Sequence, residues 1–374
     1  MENSEEGDQN KISRTILVYL AGDNNESKSI EAVIEKIKNG SIDKGCNCII
    51  YHDGLHGPSK LFRVRTGCCK HGGSYLEEIA TYPEENSASA IVLNRVIKDV
   101  VTLFPAESYG LIFTSHASGW LPYTDRPITR SIGEDDTTGK EASAIELSDF
   151  AKAIPDHQFD FIIFETCLMA GIEVAYELKD KTKYILASSA ELLSPGFVPI
   201  YEKSFTHLTN KSSSVAVALK QFGEDYMSYI NNKNGAWKSA TLSLINTTEL
   251  ESLAEIAKSI FKNKSSDMFI PIRNIQHFDR PTTYGDMNIP TRFFDFEQTL
   301  HLMGDTEQNK KLSAQLSKVV IWKSSTTSFL IPGNYNGFNI QYHSGLTIFV
   351  ENEQSPQLNL IYKKTSWYKR ISQF

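Results

Sequence analysis

Short apolar runs alternate with helix-like segments along the first half of the chain. Residues 14–20, with the sequence RTILVYL, form an apolar run that ends at an Ala-Gly-Asp-Asn-Asn turn. Similar runs occupy residues 46–51, 109–115, 159–164 and 184–188. Each run has the length of a buried strand, and the turn residues that follow it support this interpretation.

The segments between these runs are typical of helices. They predict helices over residues 27–38, 87–103, 142–154 and 169–181, with one more short strand at residues 61–65. Strands that alternate with helices indicate a mainly parallel sheet that is sandwiched by helices and joined by right-handed crossovers. The predicted fold class is therefore α/β.

The second half of the chain alternates less regularly. Its pattern predicts helices and strands in the following places: helices at 212–231 and 248–262, and strands at 240–245, 319–322 and 346–350. We divide the chain into an α/β core at residues 14–205 and a C-terminal part at residues 206–374. The C-terminal part is expected to pack on the core and complete the same domain.

The first thirteen residues differ from the rest. The opening MENSEEGDQN holds four acidic residues and no apolar stretch after Met1, so we predict a disordered tether over residues 1–13 and no signal peptide. No apolar run in the chain approaches the roughly 18 residues that would suggest a membrane span.

Charge and composition exclude one class of partner. The chain has 374 residues, 40% of them hydrophobic, and a formal net charge of -7 without a basic cluster. A phosphate backbone requires a concentrated basic surface, so nucleic acid is not an expected partner.

The five cysteines form no disulfide framework, because their number is odd and four of them are crowded near the start. The crowded residues are Cys46, Cys48, Cys68 and Cys69, with His52, His56 and His71 nearby. Their spacing matches no common structural zinc pattern, so no metal is expected. Instead of a zinc site, we expect Cys46 and Cys48 to share one face of a strand as small apolar side chains.

The fifth cysteine is a candidate nucleophile. Cys167 and His116 each follow a predicted strand, and the two strands are joined by one helical crossover. Sites in parallel sheets assemble where loops leave the carboxyl ends of strands. A histidine can take the thiol proton, and the N-terminus of the helix predicted at 169–181 would favour the thiolate. The alternative is a buried core thiol and a polar residue at a strand end.

Several segments resemble the clostripain-like cysteine peptidases, relatives of caspases, gingipains and legumains. FTSHASGW around His116 and FIIFETCLM around Cys167 resemble the histidine and cysteine motifs of that family. Five further segments fall in the family's order: ILVYLAGDNN, YILASSAELLSPGFVPIYEK, TLSLINTTELESLAE, SGLTIFVENE and TSWYKRIS. The resemblance spans about residues 14–372.

The resemblance implies a caspase-like sheet and a cysteine endopeptidase that cleaves after Arg or Lys. His116 would be the base, Cys167 the nucleophile, and the backbone N–H groups of Ala117 and Cys167 the oxyanion donors. The expected partners are peptide or protein substrates with exposed Arg or Lys. The resemblance also implies a bacterial protein that is secreted or associated with the cell envelope.

Glu165 is the candidate residue for recognition of a basic P1 side chain. Residues two apart in a strand project to the same side, so Glu165 and Cys167 should face one region. A carboxylate there would bind a guanidinium or ammonium through a charge-assisted hydrogen bond. The family normally carries aspartate at this position. A salt bridge that only holds the sheet edge is the alternative.

Two further departures lie beside the motif residues. Family members usually have glycine after the histidine and alanine before the cysteine, where this chain has Ala117 and Thr166. If residue 117 needs a positive φ, alanine there costs on the order of 1 kcal/mol. These departures keep a second hypothesis open, namely a catalytically impaired binding or surface protein with the same scaffold.

The segment at residues 188–199, SSAELLSPGFVP, is expected to flank the cleft, with Ser189 and Glu191 lining it. By resemblance it would pair its main chain with an extended substrate. The alternative is an ordinary loop rich in turn residues. A class I amidotransferase, another fold with a nucleophilic cysteine, is disfavoured because Glu-Thr-Cys-Leu-Met lacks the flanking glycines of that site.

Family members are often activated by cutting themselves between the histidine and the cysteine. Arg130 and Lys140 are the candidate P1 residues for such a cut, since Arg126 precedes Pro127 and makes a poor site. No cofactor is expected. Calcium is an alternative, because residues 134–136 are acidic and some relatives require it, although a solvated loop explains these residues as well.

Overall fold

The protein is described by a computed structural model. The described residues are 12–21, 27–54, 57–67, 73–122, 132–135, 143–262, 270–284 and 287–373. The predicted tether at residues 1–13 lies almost entirely outside them.

The strands of the described chain are β1 (Arg14–Ala21), β2 (Cys46–Asp53), β3 (Lys60–Arg65), β4 (Tyr75–Thr81), β5 (Ser108–Thr114), β6 (Ile132–Asp135), β7 (Ser143–Ile145), β8 (Phe159–Glu165), β9 (Thr182–Ala187), β10 (Thr241–Asn246), β11 (Thr282–Tyr284), β12 (Met287–Ile289), β13 (Phe294–Asp295), β14 (Val320–Ser325), β15 (Ser328–Phe329), β16 (Phe338–Asn339) and β17 (Thr347–Ile348).

The helices are α1 (Ser27–Asn39), α2 (Ala90–Leu103), α3 (Leu147–Ala153), α4 (Ile172–Glu177), α5 (Val198–Thr209), α6 (Val215–Asn231), α7 (Leu250–Lys262), α8 (Phe296–His301), α9 (Thr306–Val319), α10 (Pro356–Tyr362) and α11 (Ser366–Ser372). Three 3₁₀ turns accompany them at Gly235–Trp237, Thr247–Glu249 and Ile272–Asn274.

One large mixed sheet forms the centre of the fold. In the described chain it has nine strands in the order β14-β10-β9-β8-β5-β1-β2-β3-β4. The five central strands, from β9 to β2, run parallel, and the outer pairs on both sides are antiparallel. The predicted α/β class with a mainly parallel core is confirmed.

Helices cover both faces of this sheet, because the central strands are apolar on both sides. One core cluster lies under α2, α3, α4, α7, α9 and α11, and includes Phe113 and Phe164. The other lies under α1, α5 and α6, and includes Ile112 and Ile163. Neighbouring residues of β5 and β8 thus point to opposite faces, as strand geometry requires.

The elements that the sequence predicted least well lie outside the central strands. The sequence pattern does not predict β4, α5, the helices from α8 onward or the short strands β6, β11, β12, β13, β15 and β16. Residues 143–145 form β7 rather than the start of a helix, and the helix expected at 169–181 is confined to Ile172–Glu177. The late strand expected at 346–350 is the two-residue β17, which pairs with β13 outside the main sheet.

Residues beyond 206 build part of the central sheet as well as its cover. β10 pairs with β9, and β14 pairs with β10, so both strands extend the sheet beyond the parallel core. α11 packs against α4 and α7. None of the helices in the described ranges combines the length and the apolar character that crossing a bilayer needs.

Candidate active site

His116 and Cys167 lie beyond the ends of two neighbouring strands. β5 ends at Thr114 and β8 ends at Glu165, and these two residues are partners in the parallel register. His116 and Cys167 therefore occupy equivalent positions, each two residues past its strand. Both line one cleft of about 230 Å³. The structure thus brings the two candidate residues together.

Cys167 is half-buried and contacts the loop that follows β9. The backbone N–H of Leu192 donates a hydrogen bond of 3.4 Å to its Sγ. The next residue, Leu168, has a φ of +62°, which non-glycine residues rarely adopt. Its N–H donates to the carbonyl of Ala190 at 3.0 Å. The turn that presents the thiol is therefore held by main-chain contacts from its neighbour strand's loop.

The helix after Cys167 begins later than expected. α4 starts at Ile172 and is six residues long, so its first turn lies several residues beyond the thiol. The helix-dipole effect falls off within the first turn. The expectation that a helix N-terminus favours the Cys167 thiolate is therefore wrong for this chain, and His116, which lines the same cleft, is the remaining candidate for its activation.

The turn after His116 touches the turn after Cys167. Gly119 has a φ of +63°, and a Cβ at this position would lie 2.7 Å from the carbonyl oxygen of Leu168. Ala117, in contrast, is not among the described residues with positive φ, so the strain that alanine would cause there is absent. Ala117 forms an isolated antiparallel bridge with Ile132. The glycine that this turn requires is at position 119.

The Glu165 carboxylate lies in the wall of the cleft and accepts hydrogen bonds from three donors of the described residues. They come from the Phe197 N–H to Oε1 at 2.6 Å, and from the Thr114 hydroxyl at 3.0 Å and the Tyr201 hydroxyl at 2.6 Å to Oε2. Burial, then the nearby charge of Glu165, raises the pKa of Tyr201 well above its usual value, which keeps that phenol a donor. These three donors hold the carboxylate in one orientation.

Glu191 lines the same cleft and is paired with Arg280. The Arg280 Nε and Nη2 donate to the two carboxylate oxygens at 2.6 and 2.9 Å, and its Nη1 donates to the Tyr335 carbonyl at 2.8 Å. The hydrogen bonds to Glu191 raise the pKa of Arg280 above its usual value. Sequence reasoning missed Arg280, because a single arginine in an irregular segment forms no pattern.

Ser189 does not line the cleft, so that expectation is wrong. Its side chain is fully buried, and its hydroxyl lies 3.1 Å from Nε2 of His343. The chain bends at residues 189–190, where the Ala190 N–H bonds the Thr241 hydroxyl, and this bend turns Ser189 inward. Burial lowers the pKa of His343 to about 3, so the imidazole beneath the cleft is neutral.

A buried acid lies behind the turn that carries Cys167. Glu173, in α4, is buried, and burial raises its pKa to about 7. Its Oε1 accepts the Phe349 N–H at 2.8 Å, and its Oε2 has no hydrogen-bond partner in the described ranges. The Thr166 hydroxyl, in the cleft wall, is a second buried polar group without a hydrogen-bond partner among the described residues.

The cysteines near the start of the chain carry no site within the described residues. Cys46 and Cys48 pack with the apolar cluster under α1, α5 and α6. Across the described part of the chain, no group of three His, Cys, Asp or Glu side chains is placed to hold a metal ion. Cys68 and Cys69 lie outside it, as do the self-cleavage candidates Arg130 and Lys140.

Comparison with known proteins gives a family match over most of the chain. Residues 18–370 match the model of the clostripain family. Clostripain from Hathewaya histolytica is 25% identical over 254 residues, which are 59% of this chain and 48% of that protein. The chain therefore spans about half the length of this curated relative.

Two solved structures share the fold over nearly their whole length. An inactive zymogen C11 protease from Parabacteroides distasonis is 29% identical, with a TM-score of 0.80, and 96% of this chain covers 98% of it. A secreted C11 cysteine protease from Bacteroides thetaiotaomicron, in complex with an irreversible peptide inhibitor, is 26% identical. Its TM-score is 0.82, and the match covers 96% of this chain and 99% of that protease.

Proposed function

Because the chain belongs to the clostripain family, we propose that it is a cysteine endopeptidase that cleaves after Arg or Lys. The observation that carries the proposal is the shared cleft of His116 and Cys167 beyond the register-matched ends of β5 and β8. A nucleophilic thiol and a base must meet at the scissile carbonyl, and strand ends that are paired in register supply that arrangement.

The reaction needs only these two side chains and backbone donors. His116 takes the Sγ proton, and the Cys167 thiolate attacks the scissile carbonyl carbon. The resulting oxyanion is stabilised by the backbone N–H groups of Cys167 and Ala117. His116 then returns the proton to the leaving amine, which leaves a thioester. A water, deprotonated by His116, hydrolyses the thioester and releases the new carboxylate and the thiol.

Basic specificity is assigned to Glu165. Its carboxylate lies in the cleft wall next to Cys167 and is oriented by three donors, so it is preorganised for a cationic P1 side chain. A charge-assisted hydrogen bond in such a shielded place contributes about 1.5–3 kcal/mol. Glu191 contributes less to the selection of a cation, because Arg280 already neutralises it.

The test is turnover of fluorogenic peptides that differ only at P1, with Arg, Lys, Asn or Asp. We expect hydrolysis of the Arg and Lys peptides by the unmodified protein and none by Cys167→Ala. Cys46→Ala, which removes another thiol, should keep the activity. Assays with added calcium and with a chelator decide whether the ion is needed. Equal hydrolysis by the unmodified protein and Cys167→Ala would refute the assigned nucleophile.

Self-cleavage is part of the proposal. A cut after Arg130 or Lys140 would fall between the two dyad residues, and the similar P. distasonis protein is described as an inactive zymogen. We expect intact-mass analysis of incubated protein to find a cut at Arg130-Ser131 or Lys140-Glu141, absent in Cys167→Ala. If the chain stays uncut while it hydrolyses peptides, self-processing is not needed for activity and is removed from the proposal.

The second candidate function is a binding protein without catalysis. It is favoured by the Leu192 N–H on the Cys167 sulfur and by the replacement of the usual P1 aspartate by Glu165. Labelling with a Lys or Arg chloromethyl ketone separates the two. A peptidase is alkylated at Cys167, whereas a folded protein that is not labelled is the binder.

The setting follows from the same family. The similar protease of B. thetaiotaomicron is described as secreted, and we propose that this chain also acts outside the cytoplasm or at the cell envelope on peptides and proteins with exposed Arg or Lys. Cell fractionation of the native host, with an antibody against the chain, tests this location.

A further inference from the structure

A second depression adjoins the active-site cleft. It has a volume of about 260 Å³ and shares residues 193–196 with the cleft, so these residues form a wall with one face in each. The residues of the second depression beyond this wall are Tyr229, Ile230, Lys233, Asn234 and Trp237.

Large aromatic side chains are exposed at this place. Trp237 is 56% exposed and Tyr335 is 44% exposed, and their ring centroids are 6.2 Å apart. On the inner side, the Lys233 ammonium lies 4.3 Å from the Tyr229 ring centroid. Clustered apolar surface that stays in contact with water marks a binding site more often than isolated exposed residues do.

Hydrogen bonds connect the aromatic pair of Trp237 and Tyr335 to the active-site cleft. Arg280 donates to the backbone carbonyl of Tyr335 and, through its other nitrogens, to the Glu191 carboxylate in the cleft. One guanidinium thus ties the strand-β9 loop to the segment that carries Tyr335. The segment of the aromatic pair and the cleft are therefore linked through one side chain.

The order of strands gives the direction from the cleft to the second depression. β5, β8, β9 and β10 are neighbours in that order. β10 is antiparallel to β9, and the hydroxyls of Ser188 and Thr241 are 2.9 Å apart, so β10 begins at the edge where β9 ends. His116 follows β5, Cys167 follows β8, the wall residues belong to the loop after β9, and Trp237 precedes β10.

Catalytic chemistry fixes which part of a peptide points toward Trp237. The imidazole that protonates the leaving amine must face the residue after the scissile bond. In this chain His116 follows β5 and the wall residues belong to the loop after β9, and these two strands flank β8, which leads to Cys167. The residues before P1 therefore extend over the wall, toward Trp237.

We propose that the second depression is a substrate subsite for an aromatic or large apolar side chain that precedes the P1 residue. This inference rests on the proposed peptidase function and adds a second specificity element to it. The occupant is part of the peptide chain that Cys167 cleaves, because the depression is continuous with the cleft through a shared wall. The exposed rings of Trp237 and Tyr335 supply the contact surface.

The experiment compares four peptides on the full-length protein. The reference is acetyl-Ala-Ala-Ala-Arg-aminomethylcoumarin, and three others carry Trp in place of one Ala, at P2, P3 or P4. We expect one of the three to raise kcat/KM by about threefold to tenfold, the gain typical of one aromatic contact. Trp237→Ala should abolish the gain, so that the Trp peptide and the reference peptide are cleaved with the same kcat/KM. Tyr75→Ala, an exposed aromatic on the distant edge strand β4, should keep it.

The outcomes separate the subsite from the peptidase. If the reference peptide is cleaved but no Trp position is favoured, or if Trp237→Ala keeps the gain, the subsite is wrong and the peptidase stands. If no peptide is cleaved, the proposed function fails and this inference with it. Trp237→Phe, which keeps a ring, provides a milder variant and should retain part of the gain.

Discussion

The Glu165 carboxylate is seated against Gly196, a residue that could not carry a side chain. Gly196 has a φ of +59°, and a Cβ there would lie 2.5 Å from the Glu165 Oε1. The same oxygen accepts the N–H of the following residue, Phe197. The longer side chain of glutamate, compared with the aspartate that is usual in the family, is thus accommodated by a glycine in the opposite wall.

Glu165→Gln should weaken the cleavage of peptides with basic P1 residues. The amide keeps the size of the side chain but removes the negative charge, so about 1.5–3 kcal/mol of binding to the P1 cation is lost, roughly tenfold to a hundredfold in kcat/KM. Glu202→Gln, at a surface pair with Lys36, is the matched control. Unchanged selectivity for Arg or Lys over Asn would show that another group binds P1.

Gly119→Ala should destabilise the protein and reduce its activity. The residue has a positive φ, and a Cβ added there would lie 2.7 Å from the Leu168 carbonyl oxygen, so alanine costs about 1–2 kcal/mol for its backbone conformation alone. Urea unfolding measures the loss. Gly73→Ala, where a Cβ would meet nothing within 4 Å, should be nearly neutral. Equal effects at both positions would contradict the packing of the two turns.

Glu173 should make the protein less stable as the pH rises. Its pKa is raised from 4.5 to about 7, so the folded state holds a proton that the unfolded chain has released. The stabilisation is complete below pH 4.5 and is lost as the pH rises to about 7, with a total of about 3 kcal/mol. Glu173→Gln, which cannot ionise, should gain stability over the parent across this range, measured by urea unfolding. The exposed Glu353→Gln should follow the parent, and parallel curves for both variants would refute the assignment.

His343 should make the protein less stable as the pH falls, the opposite of the effect of Glu173. Its pKa is lowered from 6.5 to about 3, so the unfolded chain takes up the proton first as the pH falls. Its stabilisation is complete above pH 6.5 and declines below it by roughly 1.4 kcal/mol for each pH unit, down to about pH 3. His343→Gln should reduce this decline in the free energy of unfolding between pH 6.5 and about pH 3. The exposed His157→Asn should leave it in place, and an unchanged decline in His343→Gln would exclude this residue.

Arg280 and Glu191 should be coupled in a double-mutant cycle. The pair is bidentate and half-buried, so we expect a coupling free energy of about 1 kcal/mol in unfolding from Arg280→Ala, Glu191→Ala and the double variant. The exposed pair of Lys36 and Glu202 serves as the control and should give less. Additive effects for the first pair would mean that the guanidinium does not anchor the cleft wall.

The placement of His116 and Cys167 could be predicted because it depends on local patterns. Each residue follows an apolar run, and parallel strands joined by one crossover place their carboxyl ends together. The strand ends at Thr114 and Glu165 are in fact register partners. Glu165 could be found in the same way, since its position in β8 sets its direction.

Other parts of the site depend on contacts between distant segments and could not be predicted. Ser189 was expected to line the cleft with Glu191, because both belong to the segment that flanks it. The bend at residues 189–190 buries Ser189 instead, and the Ala190 N–H within this bend is bonded to Thr241, far along the chain. Arg280 contacts Glu191 and the Tyr335 carbonyl, which lie 89 and 55 residues away in the sequence. The short α4 likewise follows from main-chain pairing of residues 168–170 with the β9 loop.

Trp367, in α11, supports elements that come much earlier in the chain. Its side chain is fully buried and contacts Tyr176 of α4 and Phe296 of α8. A fragment that ended at residue 205 would contain the thiol, the imidazole and the acid of the cleft, yet it would lack this support and the strands β10 and β14. We therefore expect the cleft to form only after α11 has been synthesised, so a ribosome-bound chain that ends at residue 205 should not cleave peptides although it holds His116 and Cys167.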